Sequence, residues 1–156
     1  MATSSRIELR ALCTALILAA ATGAAAANDC TEISSTFFVS HWRGAAPSLV
    51  AVQVLRHTSL HDPVSVPYHT RLWNSAAGDG DVILILTPDK PVEPRFLAAD
   101  EYRILVDDKI EYRVHDIVMS DRLSLGCPIA SAIVNDCKAK PGKAVSFDSE
   151  CGKPQR

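Results

Sequence analysis

The chain has 156 residues, of which 47% are hydrophobic and 22% are charged, and its formal net charge is -2. This length predicts a single globular domain, and the aliphatic content excludes a disordered chain. The near-neutral balance lacks the positive excess that phosphate backbones and anionic lipid surfaces attract, so we expect no nucleic-acid partner.

Residues 1–27 have the three zones of a secretory signal peptide. Arg6 and Arg10 lie in a short head, an apolar run follows over residues 11–21, and a small-residue stretch ends at Ala27. The apolar run is too short to span a bilayer, which takes ~20 residues. We predict cleavage near Ala27, a periplasmic or secreted domain over residues 28–156, and no stable membrane insertion after cleavage.

The remaining residues show period-2 alternation and β-branched runs, which predict strands. The candidate strands cover residues 35–42, 48–57, 64–73, 81–87, 101–107, 110–119, 129–135 and 143–147. Pro, Gly, Asp and Asn separate them, and the pattern contains no crossover helices for a parallel sheet. We therefore predict an all-β fold, built as a single antiparallel β-sandwich of seven or eight strands.

Two of these strands carry positional information. Pro67 cannot donate a hydrogen bond to a neighbouring strand, so its strand should lie at a sheet edge or contain a bulge. The run Val82–Leu86 is apolar at every position. We expect this strand to be covered on both faces and to lie in the middle of the structure.

A hairpin of defined register is predicted by the stretch EYRILVDDKIEYRVHDIVM. Its apolar side chains occupy even positions on both arms, and directly paired residues share one face of a sheet. A two-residue loop would oppose apolar to polar side chains. A three-residue loop over 107–109 instead opposes Ile104 to Tyr112. It also opposes Arg103 to Arg113, a repulsion that the neighbouring glutamates can relieve.

One segment of this hairpin resembles a known type of strand. The run Asp100–Asp107 is similar to a strand that is common in secreted immunoglobulin-like and transthyretin-like sandwiches. The resemblance covers under a tenth of the chain. It implies a β-sandwich of that kind and carries no function, because one fold hosts many functions.

Four cysteines remain after the signal peptide, which predicts two disulfides in an exported chain. An extended strand between Cys127 and Cys137 would hold them roughly 33 Å apart, far beyond the ~7 Å limit for a bridge. The Pro141–Gly142 turn folds Cys137 back toward Cys151. Among the three possible connectivities we favour Cys137–Cys151 with Cys30–Cys127.

A histidine cluster is the candidate metal site. His57, His61, Asp62 and His69 lie within thirteen residues, and imidazole is a preferred ligand of zinc, copper and nickel. Pro63 disfavours the helix that would bring His57 and His61 onto one face, so solvated loop histidines are the alternative. The sequence carries no nucleophile elbow or phosphate-binding glycine loop, and we expect no cofactor.

A proline-rich segment is the candidate partner-binding loop. Pro88, Pro91 and Pro94 stiffen it, which lowers the entropy lost on docking. A plain strand connector is the alternative. Trp42 and Trp73 could also anchor a partner, but isolated aromatics in apolar strands are more often core residues, and we expect that here.

Three functions compete at this point. The leading hypothesis is an exported, non-enzymatic binding or assembly module with a protein partner in the envelope or medium. The second is an inhibitor or protective protein that acts on a secreted enzyme or toxin. The third is a metal-binding periplasmic protein that uses His57, His61 and His69.

Overall fold

The computed structural model describes residues 30–56, 63–74, 81–93, 95–121 and 125–154. The predicted signal peptide lies outside them. Ten strands form in the described residues: β1 (Phe37–Ser40), β2 (Val50–Leu55), β3 (Val64–Asn74), β4 (Val82–Pro88), β5 (Glu101–Val106), β6 (Ile110–Met119), β7 (Ile129–Val134), β8 (Cys137–Lys138), β9 (Val145–Asp148) and β10 (Lys153–Pro154). A short 3-10 helix, Ser149–Cys151, precedes β10.

The prediction of an all-β fold is confirmed. Each of the eight predicted strands has a counterpart whose ends differ by no more than two residues. The two-residue strands β8 and β10 were not predicted, because a segment that short carries no readable alternation.

The strands form one mixed sheet that nearly closes on itself. Their order is β8-β7-β6-β5-β2-β3-β4-β1-β9, and β10 pairs with β6. The β1–β9 pair is parallel, whereas the other pairs are antiparallel. Closure comes from the 3-10 helix, which leads β9 into β10 and so back to β6. The Lys140 amide also donates to the Ser146 carbonyl of β9 at 2.7 Å.

The finer prediction of a single antiparallel sandwich is therefore not confirmed. Hydrophobic alternation decides which side chains face inward, but a nearly closed sheet and two facing sheets require the same alternation. The parallel β1–β9 pair also joins segments more than one hundred residues apart. No local pattern could have predicted that pairing.

The core fills the inside of the curved sheet. Val50, Val52 and Val54 of β2 point inward, opposite Val106, Ile104 and Tyr102 of β5. The ring centroids of Phe96 and Tyr102 lie 4.6 Å apart in this core. Further fully buried side chains are Phe37, Val39, Leu84, Leu86, Tyr112, Val145 and Phe147. Burial of each large apolar side chain contributes roughly 1.5–3 kcal/mol.

The predicted hairpin register is confirmed. β5 and β6 pair Ile104 with Tyr112 and place Arg103 opposite Arg113. The Nε atom of Arg103 lies 3.1 Å from Glu111 Oε1, and the Arg113 guanidinium donates to Glu101. The two arginines are thus each neutralised by a glutamate, as the sequence suggested.

The two positional predictions for β3 and β4 have mixed outcomes. β4 ends at Pro88, opposite Tyr68, so Pro67 lies in a part of β3 that pairs with β2 but not with β4. The missing amide donor therefore breaks no strand pairing. β3 nevertheless lies between β2 and β4 and pairs with both without a register shift, so the prediction of an edge strand or a bulge was wrong. In β4, Leu84 is buried, but the outward Ile83 is only partly buried. β4 lies between β3 and β1 in the sheet, so the prediction that both of its faces are covered holds in part.

The structure brings two cysteine pairs to disulfide distance. The Cα atoms of Cys30 and Cys127 are 5.3 Å apart, and those of Cys137 and Cys151 are 5.8 Å apart. This is the connectivity that the geometry of the sequence favoured. The first pair ties the start of the described chain to the loop before β7, and the second ties β8 to the 3-10 helix.

Candidate functional site

The predicted metal ligands are only partly within the described residues. His57, His61 and Asp62 lie outside them. His69 is exposed on β3, and its Nδ1 lies 3.4 Å from Asp89 Oδ1. Within the part of the chain that the structure describes, no group of three or more His, Cys, Asp or Glu side chains could hold a metal ion.

The proline-rich segment is anchored at its beginning. Pro88 ends β4, Pro91 is exposed, and Pro94 lies outside the described residues. The Asp89 amide donates to the Pro67 carbonyl at 3.1 Å, and Val92 packs against the core. These contacts suit a strand connector, and partner binding by the segment stays a prediction.

The two tryptophans differ in burial. Trp42 packs against the core, and its Nε1 donates to the Ala45 carbonyl at 3.0 Å. Trp73 is 44% exposed on the outward face of β3, beside Ile83 of β4. The expectation that Trp73 is a core residue was therefore wrong, because its position in the alternation faces away from the interior.

A cavity of about 440 Å³, here called the Asp100 cavity, lies where β2 ends and β5 begins. Leu55 and Arg56 line it from the end of β2, and His115 lines it from β6. The turn before β5 contributes Ala98, Ala99 and Asp100. Three separate elements therefore shape the cavity.

A bulge in β6 opens one side of this cavity. His115 pairs with Ile133 and Val118 pairs with Ser131, so β6 has one more residue than β7 between these pairs. Asp116 takes up the extra residue with φ of 50°, in the left-handed region that aspartate tolerates better than most residues. The bulge reverses the inward parity of β6 and turns Asp116 and Ile117 toward the cavity.

Asp100 is the unusual residue of the site. It is only 7% exposed, and its amide donates to the Leu97 carbonyl at 3.1 Å. Its Oδ2 atom is shielded from solvent and has no hydrogen-bond partner among the described residues. A buried polar atom without a partner costs about 1–3 kcal/mol. Asp100 lines the cavity with other atoms, because Oδ2 itself has no surface that solvent can reach.

The buried carboxylate affects its neighbours electrostatically. The Tyr102 hydroxyl donates to the Leu97 carbonyl at 2.6 Å. Burial raises the pKa of Tyr102, and the negative charge of Asp100 raises it further, whereas the positive charge of Arg56 lowers it. The phenol therefore stays neutral and serves to fix the turn that carries Asp100.

The other charged side chains of the cavity have partners. Glu101 accepts a hydrogen bond from Arg113. The His115 Nδ1 atom lies 2.9 Å from Asp116 Oδ2. Three acidic residues and one basic residue line the cavity, which gives a formal charge of -2 with His115 neutral.

The Cys30–Cys127 bridge supports the wall of the Asp100 cavity. Thr31, next to Cys30, accepts a hydrogen bond from the Ala98 amide at 2.7 Å. The Ile33 amide donates to the Phe96 carbonyl at 3.0 Å. This short antiparallel contact holds the Asp100 turn in place, so the bridge and the cavity are mechanically linked.

A second polar cluster connects the ends of β1, β4 and β9. The His41 Nδ1 atom lies 2.5 Å from Asp148 Oδ2, and the His41 amide donates to Asp81 at 2.8 Å. The Ser149 hydroxyl donates to the His41 carbonyl at 2.8 Å rather than to its ring. The cluster therefore lacks the contact between nucleophile and base that catalysis needs, and it acts as a clasp.

Sequence reasoning missed the Asp100 cavity, although one signal was readable. Apolar residues occupy even positions as far as Val114, and then Ile117, Val118 and Met119 follow without alternation. Such a break, directly after His115-Asp116, is typical of a bulge. The burial of Asp100 has no signal of its own, since acidic residues before a strand are usually exposed.

The described residues contain no helix long and apolar enough to cross a membrane. Comparisons of the chain with protein-family models, with curated proteins and with solved structures found no match.

Proposed function

We propose that this chain is an exported, non-enzymatic binding module that takes up a group of its partner in the Asp100 cavity. The observation that carries the proposal is the cavity of about 440 Å³ itself, in which Asp100, Asp116 and Arg56 lie beside apolar walls. A concave site with apolar walls and a few convergent polar groups is the usual form of a binding site in proteins.

Export is part of the proposal. Two cysteine pairs at disulfide distance are typical of proteins from oxidising compartments, and the N-terminal sequence has the pattern of a signal peptide. A partner in the periplasm or medium follows from that location.

Site-specific photocrosslinking in the exporting cell tests the binding role. A benzophenone amino acid at Ala99, on the cavity rim, should give one discrete adduct that mass spectrometry can identify. The same amino acid at Lys109, in the turn at the opposite end of the β5–β6 hairpin, is the control and should give none. No adduct from Ala99, or the same adducts from both positions, would contradict the proposal.

The identity of the adduct also separates the two protein-binding hypotheses. An envelope component supports a binding or assembly module. A secreted enzyme or toxin that loses its activity when the purified protein is added supports an inhibitor instead. The metal hypothesis rests on His57, His61 and His69, and bound zinc or copper in dialysed protein is its test.

A further inference from the structure

We propose that the outer face of the sheet around β7 and β8 docks on a membrane that contains anionic phospholipids. This surface, here called the lysine face, consists of Lys138, Lys140, Lys143, Val118 and Leu125. The lysine face lies outside the Asp100 cavity and takes a lipid partner rather than a protein, so it adds a second interaction to the proposed function. Docking of this kind takes place at the bilayer surface and needs no membrane-spanning segment.

Strand pairing brings Lys140 and Val118 onto one face. The Ala139 amide donates to the Ala132 carbonyl of β7 at 2.9 Å. In this antiparallel register, Lys140 lies beside Ser131 of β7. On the other side of β7, Ser131 pairs with Val118 of β6. Two strand spacings therefore separate Lys140 from Val118, a distance of about 10 Å.

The loops on either side add Lys143 and Leu125 at the beginning of β7. Ile129, the first residue of β7, pairs with Gly142, and the exposed Lys143 follows directly. Leu125 lies in the loop that leads into β7. The members of the lysine face thus surround a single strand.

The positive charges of the lysine face are not neutralised by ion pairs. Lys138 and Lys140 flank the buried Ala139, so both side chains point outward. Within the part of the chain that the structure describes, none of the three lysines forms an ion pair. The charge of Lys140 helps to lower the pKa of Asp148, but that carboxylate is held by His41.

The local charge, rather than the net charge of the chain, decides the attraction to a surface. Salt screens interactions between exposed charges beyond about 10 Å at 0.1 M. The three lysines outnumber the two acidic residues beside them, Asp148 and Asp121, which lies in the same loop as Leu125. The lysine face is therefore positive on a chain whose formal net charge is -2, and it complements the negative charge of anionic head groups.

Two large apolar side chains stand beside these lysines. Val118 is 53% exposed and Leu125 is 52% exposed. The bulge in β6 turns Val118 outward, directly after the buried Ile117. Ammonium groups attract lipid phosphates, and apolar side chains enter the boundary between head groups and acyl chains. The lysine face combines both contributions.

The shape of the lysine face favours a bilayer over an acidic protein. The face lies on the outside of a curved sheet and is convex. A protein partner would need a matching concave surface, because stable protein interfaces are closely complementary in shape. Lipid head groups move around a convex surface and need no such match.

Sedimentation with lipid vesicles tests the proposal on the whole chain after residue 27. Vesicles of phosphatidylcholine mixed with phosphatidylglycerol should bind the protein about a hundredfold more tightly than phosphatidylcholine alone, at about fivefold for each of the three lysines. Added salt should reduce this difference. Equal binding to both vesicles, or binding to neither, overturns the proposal. Retention on a glutamate-rich peptide without vesicle binding also overturns it and assigns the face to an acidic protein.

Matched charge variants locate the contact. Lys138→Gln combined with Lys140→Gln should weaken binding to the anionic vesicles by about thirtyfold. Lys90→Gln combined with Lys109→Gln removes the same charge from exposed positions in other loops, and it should change binding by about twofold or less. Equal losses for the two double variants would refute the lysine face as the docking surface.

A matched apolar pair tests the second contribution. Leu125→Ser should weaken binding to the anionic vesicles by about fivefold, and this loss should persist at high salt, because it removes apolar contact rather than charge. Leu49 is also 52% exposed but lies before β2. Leu49→Ser should leave binding unchanged, and equal effects of the two variants would contradict insertion of Leu125.

Discussion

Replacing Cys30 and Cys127 by alanine should destabilise the protein more than replacing Cys137 and Cys151. The two bridges close loops of very different length, with sequence separations of 97 and 14 residues. A bridge lowers the conformational entropy of the unfolded chain, by an amount that grows with the logarithm of the loop length. The expected contributions are about 4.7 kcal/mol for the long loop and about 3 kcal/mol for the short one.

Urea unfolding of the oxidised protein and of the two double-alanine variants measures this difference. The free energies of unfolding in water should fall in the order unaltered protein, Cys137/Cys151 variant, Cys30/Cys127 variant. The m-value should rise in both variants, because an unfolded chain without a bridge exposes more surface.

The opposite order would refute the entropic reasoning. A larger loss for the Cys137/Cys151 variant would mean that local contacts dominate, namely the closure of the sheet through the 3-10 helix and β10. Equal losses would show that the unfolded chain is already compact around the long loop. Reduction of the unaltered protein with a thiol is the control. It should lower the free energy of unfolding by at least as much as either double-alanine substitution does.

Three further predictions concern the described residues. Hydrogen bonds from the Leu49 amide and from Ser48 lower the pKa of Asp107 below its usual value of 3.8. The stability that this carboxylate contributes is therefore complete above that value and lost as the pH falls below it. Measuring the free energy of unfolding against pH should show this loss, and the loss should be smaller in Asp107→Asn. Gly152→Ala would place a Cβ atom 2.6 Å from an Ile110 methyl carbon, and such overpacking costs roughly 1–3 kcal/mol of stability. The matched change Gly142→Ala is the control, because its Cβ atom would meet nothing closer than 3.8 Å. Equal melting temperatures for the two variants would contradict the clash.

The same acid titration reports on the clasp at the end of β9. Partial burial raises the pKa of Asp148, but hydrogen bonds from the Glu150 amide and from His41 lower it overall. Its contribution to stability is therefore also present above the usual pKa and lost as the pH falls through the lowered one. Asp148→Asn should remove part of the acid sensitivity, and an unchanged titration curve would exclude the clasp from this role.

Local rules were enough for the elements and for one register. Alternation over the hairpin allowed only the loop length that keeps apolar side chains opposite one another. This register also opposes two arginines, and each of them has a glutamate beside it. The cysteine connectivity followed from distances along extended chain and from the Pro141–Gly142 turn. The hairpin and the Cys137–Cys151 pair depend on segments close in sequence, where backbone geometry leaves few alternatives. The Cys30–Cys127 pair, with a sequence separation of 97, was favoured as the remaining pair.

Sequence reasoning failed where distant segments meet. Trp73 and Ile83 were expected to be covered, because apolar strands are usually buried, but on the outward face of the curved sheet Trp73 is 44% exposed and Ile83 is only partly buried.

The sequence by itself determined the all-β class, the inward parity of most strands and the hairpin, since each depends on local spacing and steric limits, and it favoured the cysteine pairs that the structure brings together. Only the tertiary structure decided the parallel β1–β9 pairing, the near closure through β10 and the burial of Asp100. These features arise from contacts between residues far apart in the chain. Packing and the entropy of closing long loops decide such contacts, and no local sequence pattern encodes them.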